Sequence, residues 1–137
     1  MVLGRLFRKL FGGKRLPEFR LPSDEELTTT ESGLKYLVLE EGSGQKPASS
    51  HRVTVHYTGW HTSGRVFDSS VGRGRPVGFA LGSVIPGWTE GLQLMNEGSK
   101  YLFVIPSDLG YGTRGAPPAI GPNETLVFHV ELIHLGG

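Results

Sequence analysis

Cysteine is absent from the 137 residues, which excludes disulfides, thiolate metal sites and a cysteine nucleophile while leaving the redox compartment open. Long apolar runs are missing too: nothing approaches the ~18 consecutive apolar residues that cross a bilayer. The opening residues, MVLGRLFRKLFGGKRLP, are interrupted by Arg5, Arg8 and Lys9, so they lack the unbroken apolar centre of ~7 to 15 residues that a secretory signal needs. The expected address is cytoplasmic, with peripheral contact at a membrane surface left open. Net charge is almost lacking at +1, yet residues 1–20 carry +5 and the remaining 117 carry −4. Nucleic-acid binding by the acidic body is disfavoured, because phosphate neutralisation dominates such affinity.

What the chain holds in excess is glycine. Its 21 glycines and nine prolines indicate many tight turns rather than a helix bundle, and the length fits one domain with one core. In a basic leader, residues 1–15, the side chains Leu3, Leu6, Phe7, Leu10 and Phe11 form one apolar helical stripe ahead of Gly12-Gly13. Two readings of it stand side by side: an interfacial helix that binds anionic membranes weakly, and a disordered basic tail, since so short a helix is marginal alone in water. Residues 16–32 read as a linker in which Ser23-Asp24-Glu25-Glu26 has capping-box form.

From Gly33 the period becomes two. LKYLVLEEGSG reads as a strand entering a turn, and HRVTVHYTGW alternates with Val53, Val55 and Tyr57 on one face. VGFALG puts Val77, Phe79 and Leu81 on one side, KYLFVIP is apolar on both, and TLVFHVELIHL aligns Leu126, Phe128, Val130 and Leu132. One short helix over 86–96 carries Trp88, Leu92 and Met95 at i, i+4 and i+7. A single helix cannot cover about five strands, so apolar side chains near its entrance are expected to border a cavity.

Familiar catalytic constellations fail on spacing. His51, His56 and His61 recur every five residues, and an odd separation in a strand alternates faces; His129 and His134 fail the same test, so no metal site is expected. GRGRPVG leads into a strand and lacks the helix that a phosphate loop requires. His56, Asp68, Ser69 and Ser70 contain the residue types of a hydrolase triad without a G-x-S-x-G turn. What remains is aromatic: Tyr57, Phe67, Phe79, Trp88, Tyr111 and Phe128. Core packing accounts well for the three phenylalanines and less well for the two tyrosines and the tryptophan, whose polar tips need partners when buried.

The ordered motifs VTVHYTGW, VFDSS, FALGSVIPGWTEGLQLM, IPSDLGYG and GPNETLVFHVELI resemble the FKBP-type peptidyl-prolyl cis-trans isomerases, the macrolide-binding immunophilins, nearest to bacterial members of the macrophage infectivity potentiator kind. The resemblance covers about residues 33–135, within a domain expected over 33–137, and implies an α+β fold, an antiparallel half-barrel of five to six strands wrapped around one short helix. It implies Trp88 as the floor of a proline pocket, with walls from Phe67, Val77, Phe79, Val84, Ile120 and Phe128. Tyr57, Asp68, Tyr111 and the Ile85 N–H would act on the substrate amide, Asp68 bonded to the Tyr57 hydroxyl. No cofactor is implied. The implied partners are X-Pro polypeptides, with macrolides such as tacrolimus or rapamycin as further ligands, bound by a monomer. Against the family pattern, Val77 stands where a larger aromatic is common, Ala116 where histidine is frequent and Ala119 where a bulky aliphatic is expected. Two functions follow from one cavity: an isomerase that accelerates proline-limited folding, and an adaptor that holds proline peptides with little turnover.

Overall fold

The structure, a computed structural model, describes residues 15–136, so the apolar stripe of the leader lies outside the described residues. Seven strands form one antiparallel sheet: β1 (Thr28–Thr29), β2 (Lys35–Glu40), β3 (Arg52–His61), β4 (Val66–Ser69), β5 (Val77–Ala80), β6 (Lys100–Ile105) and β7 (Leu126–Leu135). Their spatial order is β1-β2-β6-β7-β3-β4, and β5 also pairs with β3. Strand β3 organises the sheet. It pairs with β7 from Val53 to His61, while its other edge takes β5 along Arg52 to Val55 and β4 along Thr58 to Trp60. This is the expected half-barrel, with the two-residue β1 added by the segment read as a linker.

The period-two pattern sorts the faces. Val53, Val55 and Tyr57 of β3, Tyr101, Phe103 and Ile105 of β6, and Leu126, Phe128, Val130 and Leu132 of β7 join one core with Trp88, Leu92 and Met95. The opposite face holds a smaller cluster of Trp60, Leu102 and Val127, on which Phe19 and Leu37 pack. Phe19 meets Trp60 edge-on at 5.5 Å. Phe19 thus anchors the start of segment 16–32 on the convex face, while β1 fixes its later part along the sheet edge beside β2. Within them the Ser23 N–H donates to Glu26 Oε1 at 3.0 Å, the reciprocal half of a capping box.

Helix α2 (Pro86–Leu92; a one-turn helix, α1, spans Ser70–Arg73) crosses the concave face. Pro86 suits its first turn, where an N–H would lack an acceptor. It ends earlier than the spacing of Leu92 and Met95 suggests. The N–H groups of Gln93, Leu94 and Met95 turn to carbonyls three residues back, at 3.2, 3.0 and 3.2 Å, and this tightening closes the helix. Met95 still reaches the core with no exposure, from a turn. Close approach to β6 is set by two glycines. A Cβ at Gly87 would stand 2.7 Å from Ile105 Cγ2, and one at Gly91 2.7 Å from Phe103 Cε1.

Candidate active site

Where α2 begins, the sheet is uncovered and a cavity of about 380 Å³ opens. Trp88 forms its floor, 4% exposed. Phe79, Tyr57 and Phe128 stand nearly perpendicular to the indole, with centroids 5.2, 5.1 and 5.3 Å from it. Phe67 continues the wall edge-on to Phe128 at 5.5 Å. Alternation explains the assembly: Tyr57 on β3, Phe79 on β5 and Phe128 on β7 all point to the concave side. Gly59 leaves the room between them. A Cβ there would lie 2.6 Å from Phe67 Cζ and 2.7 Å from Phe128 Cε1.

At the rim the Tyr57 hydroxyl donates to Asp68 Oδ2 at 2.5 Å, and Arg73 donates to Asp68 Oδ1 and, at 3.1 Å, to the Tyr57 oxygen. Arg73 was not singled out from the sequence. Its position follows from α1: Ser69 caps the turn by accepting from the Gly72 N–H at 3.0 Å, and Gly74 at φ 84° stops it in the left-handed region. One turn thus returns Arg73 over Asp68, five residues earlier. The signal available was a cap serine and a stop glycine flanking a single basic residue. Burial raises the Tyr57 phenol above its ordinary range, its bond to Asp68 adds to this and Arg73 opposes it. Burial, then the charge of Asp68, raises Tyr111 as well. Neither phenol ionises near neutral pH.

Two polar hydrogens are left over. Among the described residues the Ile85 N–H finds no acceptor, although the Ile85 carbonyl accepts from Trp88 and Thr89 at 2.9 and 3.1 Å. The buried Trp88 Nε1–H has no partner either. Tyr111, 40% exposed, stands at the cavity mouth. An apolar recess with a free backbone donor, a half-exposed phenol and a clamped carboxylate can receive a small ring and hold a carbonyl beside it.

Nine of the eleven side chains anticipated at the site line this cavity: Tyr57, Phe67, Asp68, Phe79, Val84, Ile85, Trp88, Tyr111 and Phe128. Ser83 lines it unanticipated. Val77 and Ile120 do not. Val77 pairs with Val55 one step beyond Phe79 and packs at the margin of the core, too short to reach the recess. Ile120 is 3% exposed and turned into the core, its backbone bonded both ways to Ala116 at 2.9 and 3.0 Å.

The histidines and serines disperse. His51 Nδ1 accepts from Ala48 at 2.8 Å, His61 pairs with Glu124, and His134 with Glu97. His56 Nδ1 lies 2.8 Å from Ser70 Oγ, but Ser70 is wholly buried and also accepts from the Tyr57 N–H. This pair ties α1 to β3 and cannot meet a substrate.

A half-barrel whose crossing helix presents a buried indole to a ring-lined recess defines the FKBP-like class. Residues 43–133 match the family described as FKBP-type peptidyl-prolyl cis-trans isomerase, and the chain belongs to that family. It is 52% identical over 111 residues to the FKBP-type 22 kDa peptidyl-prolyl cis-trans isomerase of Escherichia coli, covering 81% of this chain and 54% of that protein. It is 51% identical over 102 residues to the outer membrane protein MIP of Legionella longbeachae, covering 74% and 44%. Among solved structures, FkpA from Escherichia coli superposes with a TM-score of 0.79 at 41% identity, over 98% of this chain and 58% of that one. A peptidyl-prolyl cis-trans isomerase from Pseudomonas syringae gives 0.77 at 36%, over 99% and 92%. The chain spans about half the length, or less, of the curated relatives it matches.

Proposed function

We propose that this protein is a peptidyl-prolyl cis-trans isomerase acting on X-Pro bonds of polypeptides, with Asp68, Tyr57, Tyr111 and the Ile85 N–H addressing the amide and the ring-lined recess holding the proline. The observation that carries the reading is the cavity over Trp88: enclosed by aromatic rings, edged by an unengaged backbone donor, and lined by no histidine that would activate a serine. Rotation about an X-Pro bond breaks no covalent bond. The barrier, about 20 kcal/mol, is the resonance lost when the amide turns perpendicular, so no proton transfer or covalent intermediate is required.

A planar amide has a large dipole that water solvates. Twisted, it localises the nitrogen lone pair and its carbonyl becomes less polar. A water-poor recess therefore disfavours the planar state relative to the twisted one. Burying the proline ring supplies roughly 1.5–3 kcal/mol of binding, but only interactions that improve in the transition state raise the rate. A millionfold acceleration needs about 8 kcal/mol, beyond what one or two hydrogen bonds of about 1 kcal/mol provide. Desolvation contributes the larger part. Asp68, its two oxygens fixed by Tyr57 and Arg73, adds an oriented charge, and Ile85 and Tyr111 hold carbonyls.

The test is a refolding reaction limited by proline isomerisation, a step that lasts tens of seconds or more uncatalysed. Acceleration at substoichiometric protein is the expected result. Saturable retardation without acceleration would establish a proline-peptide adaptor instead. The same recess is the proposed seat of macrolides, whose competition with X-Pro peptides is the check. For the leader, whose residues 1–15 are strongly basic, the proposal is weak peripheral binding to anionic membranes from a cytoplasmic location. It predicts co-sedimentation with acidic vesicles that salt reverses; no binding at low salt would remove it.

A further inference from the structure

A second groove, of about 570 Å³, runs along the outer side of the segment that forms the cavity wall. Val84 lines both. Its backbone is extended, at φ −111° and ψ 177°, so the chain between the 3₁₀ turn Leu81–Ser83 and α2 is a low ridge with the active-site cavity on one flank and this groove on the other.

The groove offers hydrocarbon. Val84, Pro86 and Leu94 contribute apolar surface, and the polar side chains beside them are hydrogen-bonded within the chain. The Thr89 hydroxyl donates to Leu81 O at 2.8 Å, Gln93 Nε2 donates to Thr89 O at 2.8 Å, and Glu90 accepts from Ser32. The charged side chain that lines it, Glu90, is engaged by the Ser32 hydroxyl. A cavity of this size is roughly 8 Å across, which an extended chain crosses in two or three residues at about 3.3 Å each.

We infer that the groove is an accessory subsite for the same substrate chain: an extended polypeptide segment whose proline occupies the Trp88 cavity crosses the Val84 ridge and lays an apolar side chain, a few residues from the proline, against Pro86 and Leu94. The inference rests on the isomerase reading and adds to it a preference for apolar residues at a distance from the bond that turns. An unfolded client, whose apolar residues are uncovered, supplies that chemistry.

Gly82 provides the probe, because it lines the groove and not the cavity. Its backbone is not left-handed, and a Cβ there would meet only Ser49 O at 3.5 Å. Gly82→Trp fills the groove; Gly82→Ala leaves it open. The substrates are a four-residue X-Pro peptide and the same core lengthened at either end by six residues carrying Leu or, as control, Ser. We expect the Leu extension to lower KM by about fivefold in the wild type and in Gly82→Ala, and to lose that advantage in Gly82→Trp, with kcat and the short-peptide kinetics within about twofold throughout. An extension effect that survives Gly82→Trp, or is absent from the wild type, overturns the inference. So does a Gly82→Trp defect equal on short and long peptides, which would place the effect in the cavity through Val84. If the wild type turns over no X-Pro peptide, the isomerase reading fails separately. The groove is then decided by the Leu94 methyl resonances during titration with the two extended peptides: a shift with the Leu peptide alone, abolished by Gly82→Trp, supports it, and no shift overturns it.

Discussion

Tyr57→Phe removes one oxygen from the recess and leaves its rings in place. The Tyr57 ring is held by Trp88 at 5.1 Å and by Phe79 and Phe128, each at 6.3 Å, contacts that a phenyl keeps. Lost is the hydroxyl that donates to Asp68 at 2.5 Å and accepts from Arg73 at 3.1 Å. A hydrogen bond to a charged group contributes about 1.5–3 kcal/mol. This one falls below that range, because the Asp68 and Arg73 side chains are 41% and 51% exposed, so water replaces the missing partner and screens the pair. A stability loss of about 1 kcal/mol follows, seen as roughly 3–5 °C in Tm for a domain of this size. With the rings unmoved, KM should stay within about twofold while kcat falls about fivefold, the equivalent of 1 kcal/mol of transition-state stabilisation. Asp68→Ala should lower kcat further with KM again little changed. The decisive assay is the double-mutant cycle on an X-Pro peptide: Tyr57→Phe added to Asp68→Ala should do almost nothing, giving a coupling of about 1 kcal/mol. A full fivefold loss on top of Asp68→Ala would show that the hydroxyl does not act through the carboxylate.

Trp88→Ala and Phe128→Ala should each raise KM as well as lower kcat and destabilise the fold by about 3–5 kcal/mol; unchanged turnover in both would refute the site. Gly59→Ala should reduce kcat/KM by at least about tenfold while the sheet still forms, since its methyl displaces the Phe67 and Phe128 rings rather than backbone; steady-state kinetics beside a far-ultraviolet spectrum check both halves. Burial, with Lys100 nearby, lowers His129 below the usual imidazole range, and Glu131 opposes this. Arg15 and His56 line the same small convex-face cavity. With its folded pKa depressed, the unfolded chain binds the proton first, so stability present above the unfolded value of about 6.5 is lost as pH falls through the folded one. Denaturant melts between pH 8 and 5 should show that decline, and His129→Gln should flatten it; an identical slope in the variant would sink the assignment.

Much of the cavity could be read in advance because strand periodicity carries it: Tyr57, Phe79 and Phe128 sit on core-facing positions of three neighbouring strands, and each strand announced its face. What escaped lies where period gives no information. Arg73 belongs to a helix of one turn, too short to show a repeat. Phe19 is a lone aromatic in a segment without pattern, and only the indole of Trp60 on the sheet's convex face, which packs beneath it, explains its position. Met95 prolonged the helical spacing although it lies in a turn, since a residue can reach the core from either conformation. Val77 faced the right way and fell short because direction is encoded by alternation whereas reach depends on side-chain length. Ser83 and the second groove arise from the ridge around Val84, a shape made by the meeting of a 3₁₀ turn and a helix start that no single window of sequence displays.

The notch formed by Gly87 and Gly91 against Ile105 and Phe103 fixes how low the helix rides, and with it how far below the rim the indole lies. Depth is thus governed from beneath, by backbone pressed on rings, and outline from above, by residues such as Ser83, Val84 and Tyr111. Descendants of this chain can redraw the doorway by point substitution while the basement stays level, so changes of clientele need not disturb the chamber in which the bond is turned.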